Sequence, residues 1–290
     1  MRLAISGGGP LNSEVQEFVR CAFGCPLFQG YGLTETCAGL AMQDPSDMRC
    51  GIAGVPLDSC EVKLESCPDV CDKKKNPYLI TDTVDTTGSK VFGRGEIMVR
   101  GNNISVGYYM MEAATAEAWE KDGFFHTGDI GQFLADGSIR IVDRKKNLVK
   151  LKGGEYIAIE NMEMCYGNSS FVDAINGGIC CYGDGEMDRP VALMQLNRPV
   201  VEAWAAKNGG GDWDAVKGSP ELMAAVVKDL NSQGKKAGLS NLEKLVGVVF
   251  LFEPWTPENG CLTAANKLQR RQVVEVFSKQ FNQIKKKGVF

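Results

Sequence analysis

A change of hydrophobic period across one polar joint constrains this chain more than any other feature. The joint is Asp143-Arg144-Lys145-Lys146-Asn147, which runs on through Leu148–Leu151 to Gly153-Gly154-Glu155. Upstream of it, short segments alternate apolar and polar residues, the period of half-buried strands. Downstream, strand-like runs alternate with helical ones. A chain of 290 residues exceeds the about 100–200 that one core usually holds, so two domains are expected, 1–142 and 143–290.

Within the first domain, Arg2–Ser6 alternates like a strand, and Gly7-Gly8-Gly9-Pro10 then forces a turn. A helix is predicted from Ser13, with Val15, Phe18, Val19 and Ala22 on one face. Pro26–Gln29 is a second strand that ends at Gly30-Tyr31-Gly32. Strand, turn, helix, strand and loop in that order make residues 1–50 an α/β piece, a class that binds ligands at strand ends. From Gly51 short strands take over: Glu61–Leu64, Glu96–Arg100, and Gln132–Ala135 paired with Ser138–Val142 across an Asp136-Gly137 turn. Residues 51–142 are therefore read as a small distorted β-barrel, with one helix at Glu112–Lys121 and a polar surface excursion at Asp72–Lys90. The second domain is read as α+β. Its strands are expected at Leu148–Leu151, Ile175–Tyr182, Val191–Leu196 and Val246–Phe252, and its helices near Ile159–Tyr166, Glu221–Leu230 and Arg270–Gln283.

Charge and composition exclude several classes. Thirty-two basic against 36 acidic residues give a net charge of −4, which argues against a nucleic-acid partner. The Lys285-Lys286-Lys287 run is read as a solvated helix end. No segment reaches the ~20 apolar residues that a membrane-spanning helix needs, and Met1–Gly7 is too short in apolar core for a signal peptide. Eleven cysteines raise the question of zinc, but neither Cys21/Cys25 nor Cys67/Cys71 is followed by a matching pair, and His126 is the single histidine. Free thiols in a reducing compartment are expected. Asn208-Gly209-Gly210-Gly211 lacks the lysine and hydroxyl residue of a phosphate loop.

Two clusters carry chemistry. In Gln29-Gly30-Tyr31-Gly32-Leu33-Thr34-Glu35-Thr36, the glycines permit close backbone approach to a ligand and Tyr31 offers a flat face to a base. Thr34 supplies a hydroxyl for a phosphate oxygen, and Glu35 a hard oxygen ligand for magnesium. In Phe124-Phe125-His126-Thr127-Gly128-Asp129, the acid follows a glycine turn and is poised to accept two hydroxyl hydrogen bonds. His126 is read as a packed residue beside two aromatic rings, since a general base would need a partner carboxylate.

Together these motifs resemble the adenylate-forming superfamily. Asp143-Arg144-Lys145-Lys146-Asn147-Leu148-Val149-Lys150-Leu151, Gly154-Glu155-Tyr156-Ile157-Ala158, Gly95–Gly101 and Val106-Gly107-Tyr108-Tyr109 are most similar to eukaryotic-type long-chain fatty acyl-CoA synthetases. The resemblance implies that Tyr31 stacks on adenine, Thr34 contacts the α-phosphate, Glu35 binds Mg2+, and Gly7, Gly8 and Gly9 border the adenine and acyl chain. It implies that Gln29, Gly30 and Gly32 line the nucleotide and that Asp129 and Arg144 grip the ribose. Asp143 would be the hinge of a mobile C-terminal domain, and Gly153, Gly154 and Glu155 would line the coenzyme A channel. Lys267, in Lys267-Leu268-Gln269-Arg270, would bridge the acyl carboxylate and phosphate oxygens. The implied function is ATP-dependent long-chain fatty acid–CoA ligation through an acyl-adenylate, with Mg2+ as cofactor and fatty acid, ATP and CoA as partners. Alternatives are another acid–CoA ligase or a non-catalytic nucleotide-binding remnant. One departure stands out: the superfamily's Ser/Thr/Gly-rich loop ending in Pro-Lys-Gly has no counterpart here. The chain is thus expected to be the C-terminal half of a ligase, with an upstream half or partner chain completing it. Location is expected to be cytoplasmic or peripheral on the endoplasmic reticulum or peroxisome, and no targeting segment is expected in the chain.

Overall fold

The structure, a computed structural model, describes residues 1–175 and 177–287. It divides into two compact units, Met1–Leu148 and Val149–Phe290. The break falls after Leu148 and not before Asp143, because the joint's first residues remain tied to the first unit. Arg144 still pairs with Asp129 across two strands, and Lys145 Nζ lies 2.9 Å from the Glu96 carboxylate.

The first unit contains β1 Ala4–Ser6, α1 Ser13–Phe23, β2 Leu27–Tyr31, β3 Ala41–Met42, β4 Val55–Pro56, β5 Cys60–Glu65, β6 Cys67–Cys71, β7 Pro77–Tyr78, β8 Val91–Gly101, α2 Glu112–Ala118, β9 Phe125–Leu134 and β10 Ile139–Arg144. β1 runs parallel to β2, and β3 and β4 extend that sheet antiparallel. α1 starts where Asn12 Oδ1 accepts from the backbone N–H groups of Glu14 and Val15, and stops at Gly24 with φ 58°. The face expected to be its core stripe points the other way. Gln16 and Arg20 are buried, whereas Phe18 is 70% exposed and Val15 is exposed beside it. Polar anchoring explains the orientation: Arg20 Nε and Gln16 Nε2 both donate to the Leu27 carbonyl, at 2.8 and 3.1 Å, and Arg20 also reaches Met48 O.

The barrel expected over residues 51–142 does not form. Strands β10, β9, β8 and β5 make an open antiparallel sheet in that order. Closure would require β10 to meet β5, but the outer edge of β10 is already taken. Ile139 donates to Gly54 O at 2.7 Å and accepts from Ala53 N at 2.8 Å. Leu40, Ala53, Ile97, Val99, Phe125 and Ile139 form the core at this junction. The Asp72–Lys90 segment is also better anchored than a surface excursion. Buried Arg94 holds Asp72 at 2.8 Å and Asp82 at 2.7 Å, and Tyr78 is buried beneath it.

The second unit continues with β11 Leu148–Lys150 (which straddles the break), β12 Tyr156–Ala158, α3 Ile159–Tyr166, β13 Ile179–Tyr182, β14 Val191–Gln195, α4 Arg198–Lys207, α5 Trp213–Val216, α6 Pro220–Lys236, β15 Gly247–Leu251, α7 Arg270–Val276 and α8 Ser278–Lys287. β14 pairs antiparallel with β13 and parallel with β15. Both faces of this sheet are covered. Ala192, Met194, Val248 and Phe250 pack with Met162, Leu222 and Val226, while Leu193 and Leu251 pack with Trp255, Val273 and Phe277. Two-sided burial accounts for the nearly continuous apolar runs that marked these strands. α4 and α5 were not anticipated; α4 buries only Val201 and Ala205, too few for a readable period. β13 begins at Ile179, leaving Ile175 exposed, and the last helix breaks at Phe277. The side chains of Lys285-Lys286-Lys287 lie outside the described residues. No described helix is long and apolar enough to cross a membrane.

Candidate functional site

Asp129 lies at a distortion inside a strand, not after a free turn. Glu96 pairs with Ile130 and Met98 with His126, so Thr127, Gly128 and Asp129 together oppose Ile97 alone. Gly128 makes this bulge feasible with φ 72°, its N–H donating to Glu96 Oε1 at 3.1 Å. Thr127 Oγ1 locks it by donating to Ile97 O and accepting from Asp129 N. The bulge aims the buried Asp129 carboxylate at the first sheet, where the Tyr31 hydroxyl donates to Oδ2 at 2.7 Å. Arg144 Nε approaches the other oxygen at 3.3 Å. Burial, and then the Asp129 charge, push the Tyr31 phenol well above its ordinary value, so it remains a donor at neutral pH. An ionised carboxylate has about four lone-pair directions, the acceptor chemistry that a vicinal diol calls for.

Tyr31 ends β2, whose neighbour β1 leads into the glycine turn. Ser6 pairs with Gln29, and a Cβ added at Gly7 would stand 3.2 Å from Gly30 O. Gly7, Gly8, Gly9, Gln29 and Gly30 thus gather at the ends of two parallel strands. The glycines differ in cause. At Gly32 a Cβ would fall 1.7 Å from Ala38 O, so the chain's own fold demands glycine there. At Gly30 it would meet ordinary contacts of 3.9 Å, and nothing internal requires glycine. Thr34 is exposed at the start of the short 3-10 turn Thr34–Thr36, and Glu35 follows it. The Tyr108 hydroxyl donates to Glu35 Oε1 at 2.7 Å; burial, then this bond, push Tyr108 up to about 12. One carboxylate fits magnesium when the ion arrives on nucleotide phosphates, since Mg2+ takes few protein ligands and keeps several waters.

Asp143 is buried on β10, its Oδ1 accepting from Arg144 N at 2.6 Å and Asn147 Nδ2 at 3.2 Å. In the second unit, Gly153 and Gly154 form the turn between β11 and β12. Gly154 has φ 84° and donates to Leu151 O, while Leu151 N donates to Glu155 O. Lys267 is exposed on a tight turn closed by Thr263 N to Lys267 O at 2.8 Å and Lys267 N to Thr263 Oγ1 at 3.0 Å. The turn's foot is Arg270, whose guanidinium holds Glu163 through two hydrogen bonds and lies 3.5 Å from Glu160. Burial pushes the Glu163 carboxyl up to about 7, against the lowering pull of Arg270.

Sequence reasoning missed the surroundings of His126. It is not merely packed between rings: three carboxylates, Glu65, Glu96 and Glu120, lie 3.5–3.6 Å from its nitrogens, and Asp129 is not among them. Glu65 and Glu96 are remote in sequence and only strand register reveals them, whereas Glu120 lies in the loop just before β9. The eleven cysteines are free thiols.

Residues 1–109 match the model of the AMP-binding enzyme family. The chain is 39% identical over 280 residues to the peroxisomal long chain acyl-CoA synthetase 6 of Arabidopsis thaliana, covering 96% of this chain and 38% of that protein. It is 35% identical over 281 residues to long-chain-fatty-acid–CoA ligase 1 of Saccharomyces cerevisiae, covering 94% and 37% respectively. Among solved structures, the adenylation domain of a Mycobacterium chelonae carboxylate reductase superposes with a TM-score of 0.77 at 26% identity, over 97% of this chain and 38% of that one. The O-succinylbenzoate coenzyme A synthetase of Bacillus subtilis, solved with ATP and magnesium, gives 0.62 at 25% identity, over 93% and 46%. The chain therefore spans less than half the length of these relatives, and it resembles long-chain acyl-CoA synthetases in sequence and adenylating enzymes in fold, with residues 1–109 matching the AMP-binding enzyme family.

Proposed function

We propose that this chain supplies the ribose grip, the adenine platform and the C-terminal unit of an ATP-dependent long-chain fatty acid–CoA ligase. The observation that carries the reading is the buried Asp129 carboxylate, aimed by the bulge at the end of β2, where the Tyr31 hydroxyl and Arg144 meet it, an acceptor of the kind a vicinal diol needs. Tyr31, fixed by its hydroxyl, presents a rigid ring for adenine, and Gly30 leaves its approach open. Thr34 donates to an α-phosphate oxygen. A fatty carboxylate oxygen attacks the α-phosphorus, the bond to pyrophosphate breaks, and acyl-adenylate results. The exposed Lys267 ammonium bridges the two reacting anions, as a compact three-donor cation can. Magnesium, held by Glu35, would offset triphosphate charge. In the second step the thiol of coenzyme A attacks the acyl carbon past the side-chain-free Gly153-Gly154 turn, and AMP leaves. Asp143 serves as the hinge that lets the second unit present Lys267 and then this turn.

The test is binding of AMP and of 2′,3′-dideoxy-AMP to residues 1–290. AMP should bind at least about tenfold more tightly, and Asp129→Ala should erase the difference, because each hydrogen bond to a charged group contributes about 1.5–3 kcal/mol. Equal binding of both nucleotides by the unaltered chain would exclude the ribose assignment. With the N-terminal share of the relatives joined to this chain, Lys267→Ala should slow acyl-adenylate formation by ~10²–10³ and spare thioester formation from supplied adenylate. Pyrophosphate exchange driven by aryl or medium-chain acids in place of palmitate would redirect the substrate assignment.

A further inference from the structure

His126 and the acids around it form a cluster that nucleotide chemistry does not use. Glu65 ends β5, Glu120 lies in the loop after α2, and His126 stands near the start of β9. One donor atom from each of these three lies within 4.8 Å of the others. Glu65 Oε2 is 3.6 Å from His126 Nδ1, and Glu120 Oε1 is 3.6 Å from Nε2. A fourth carboxylate, buried Glu96, is 3.5 Å from Nδ1.

The distances are informative. Among the described residues the imidazole makes no hydrogen bond, although acids flank both nitrogens at separations too long for one. Two atoms bound to one tetrahedral zinc by bonds of about 2.0–2.2 Å stand roughly 3.3–3.6 Å apart. One ion takes one ring nitrogen, so Glu65 meets that spacing at Nδ1 or Glu120 meets it at Nε2, and the other carboxylate, within 4.8 Å, must turn inward to complete the set. Lys63 lies 3.1 Å from Glu120 and Lys145 2.9 Å from Glu96, so two cations already offset part of the acidic charge. Lys63 holds Glu120 through Oε2, while Oε1 is the oxygen that faces the imidazole, and Glu96 stays engaged with Lys145 and Gly128 N–H as a supporting acceptor.

We propose that His126, Glu65 and Glu120 bind a zinc-class divalent cation, one that takes imidazole nitrogen and carboxylate oxygen together, with water completing its coordination. The ion ties β5, the loop after α2 and β9 to one point, three residues from Asp129 on the same strand. Hard cations such as Mg2+ do not select an imidazole and are excluded from the site.

The single histidine makes the test specific despite eleven thiols, because zinc bound to cysteine leaves the imidazole signal unchanged. Residues 1–290 are labelled with 15N, and the His126 ring resonances are followed during titration with zinc sulfate and, separately, magnesium. Zinc is expected to shift the ring nitrogens to saturation, with reversal by EDTA and no response to magnesium. Glu65→Gln and Glu120→Gln, both partly exposed side chains, should each weaken the zinc midpoint about tenfold or more, with backbone spectra reporting an intact fold. An unresponsive imidazole would overturn the proposal and leave a plain histidine–carboxylate ion-pair cluster. Unaltered midpoints in either variant would overturn it as well.

Discussion

Asp129, Tyr31 and Arg144 act as one polar unit, so single changes there should be felt by both fold and ligand. Tyr31→Phe removes the donor to a buried carboxylate and should lower stability by about 1–3 kcal/mol, read as a fall in the urea midpoint. Arg144→Ala, whose side chain is half exposed, should cost little stability and mainly weaken nucleotide binding. In the second unit Glu163, on α3, sets a pH dependence. Its folded value, about 7, lies above the ordinary 4.5. The stability it contributes is thus fully present below about 4.5 and is lost as pH rises through about 7. Arg270, Glu160 and the Cys181 N–H are the groups that face it. Glu163→Gln should flatten the urea midpoint between pH 4.5 and 7.5 relative to the unaltered chain, and parallel profiles would refute the assignment. The chain order of Asp129 and Tyr31 was legible because short motifs surround both. The Glu163 partnership was not, since 107 residues separate Glu163 from Arg270.

At the scale of elements, the glycine loop after β2 separates folding from binding. Gly32→Ala places a methyl 1.7 Å from Ala38 O and should disorder the Thr34–Thr36 turn, visible as loss of its amide protection from hydrogen exchange. Gly30→Ala meets contacts no tighter than 3.9 Å and should leave stability within about 1 kcal/mol while weakening AMP binding. If both variants bind AMP normally, the loop is only structural. The same distinction applies at Gly154, where φ is 84°: a Leu there strains the turn by about 1–2 kcal/mol, and coenzyme A transfer should fall while acyl-adenylate still forms. Element identity followed from period and turn residues, as with the Asp136-Gly137 hairpin between β9 and β10. The bulge at Thr127–Asp129 escaped notice because it depends on register with β8, a non-local property.

For the whole molecule, the segment through α1 leaves several large apolar side chains exposed: Leu3, Ile5 on β1, and Val15, Phe18 and Phe23 on α1. Exposed apolar side chains in this number promote association. Residues 1–290 should therefore self-associate on a sizing column with light scattering, and Phe18→Glu should shift them toward monomer; no change would place the contact elsewhere. Pyrophosphate exchange with palmitate by these residues alone should be negligible, because no Pro-Lys-Gly phosphate loop occurs in them. Turnover near that of an intact ligase would show a complete site here. Residues 149–290, with a sheet covered on both faces, should fold alone and melt cooperatively.

What the amino-acid order by itself determined was local: the polar joint at Asp143–Asn147, the strand and helix periods on either side, and the glycine, acid and lysine motifs that resemble those of adenylate-forming enzymes. Tertiary structure decided everything that depends on neighbours. Ala53 and Gly54 occupy the edge of β10 and keep the sheet open, a pairing no alternation within 51–142 could announce. Buried Gln16 and Arg20 turn α1 inside out, because two long polar side chains reaching one carbonyl override an apolar stripe. Strand register brings Glu65 and Glu96 to His126, and the loop after α2 adds Glu120. Periodicity is written residue by residue, whereas edges, registers and buried charges are properties of which segments meet.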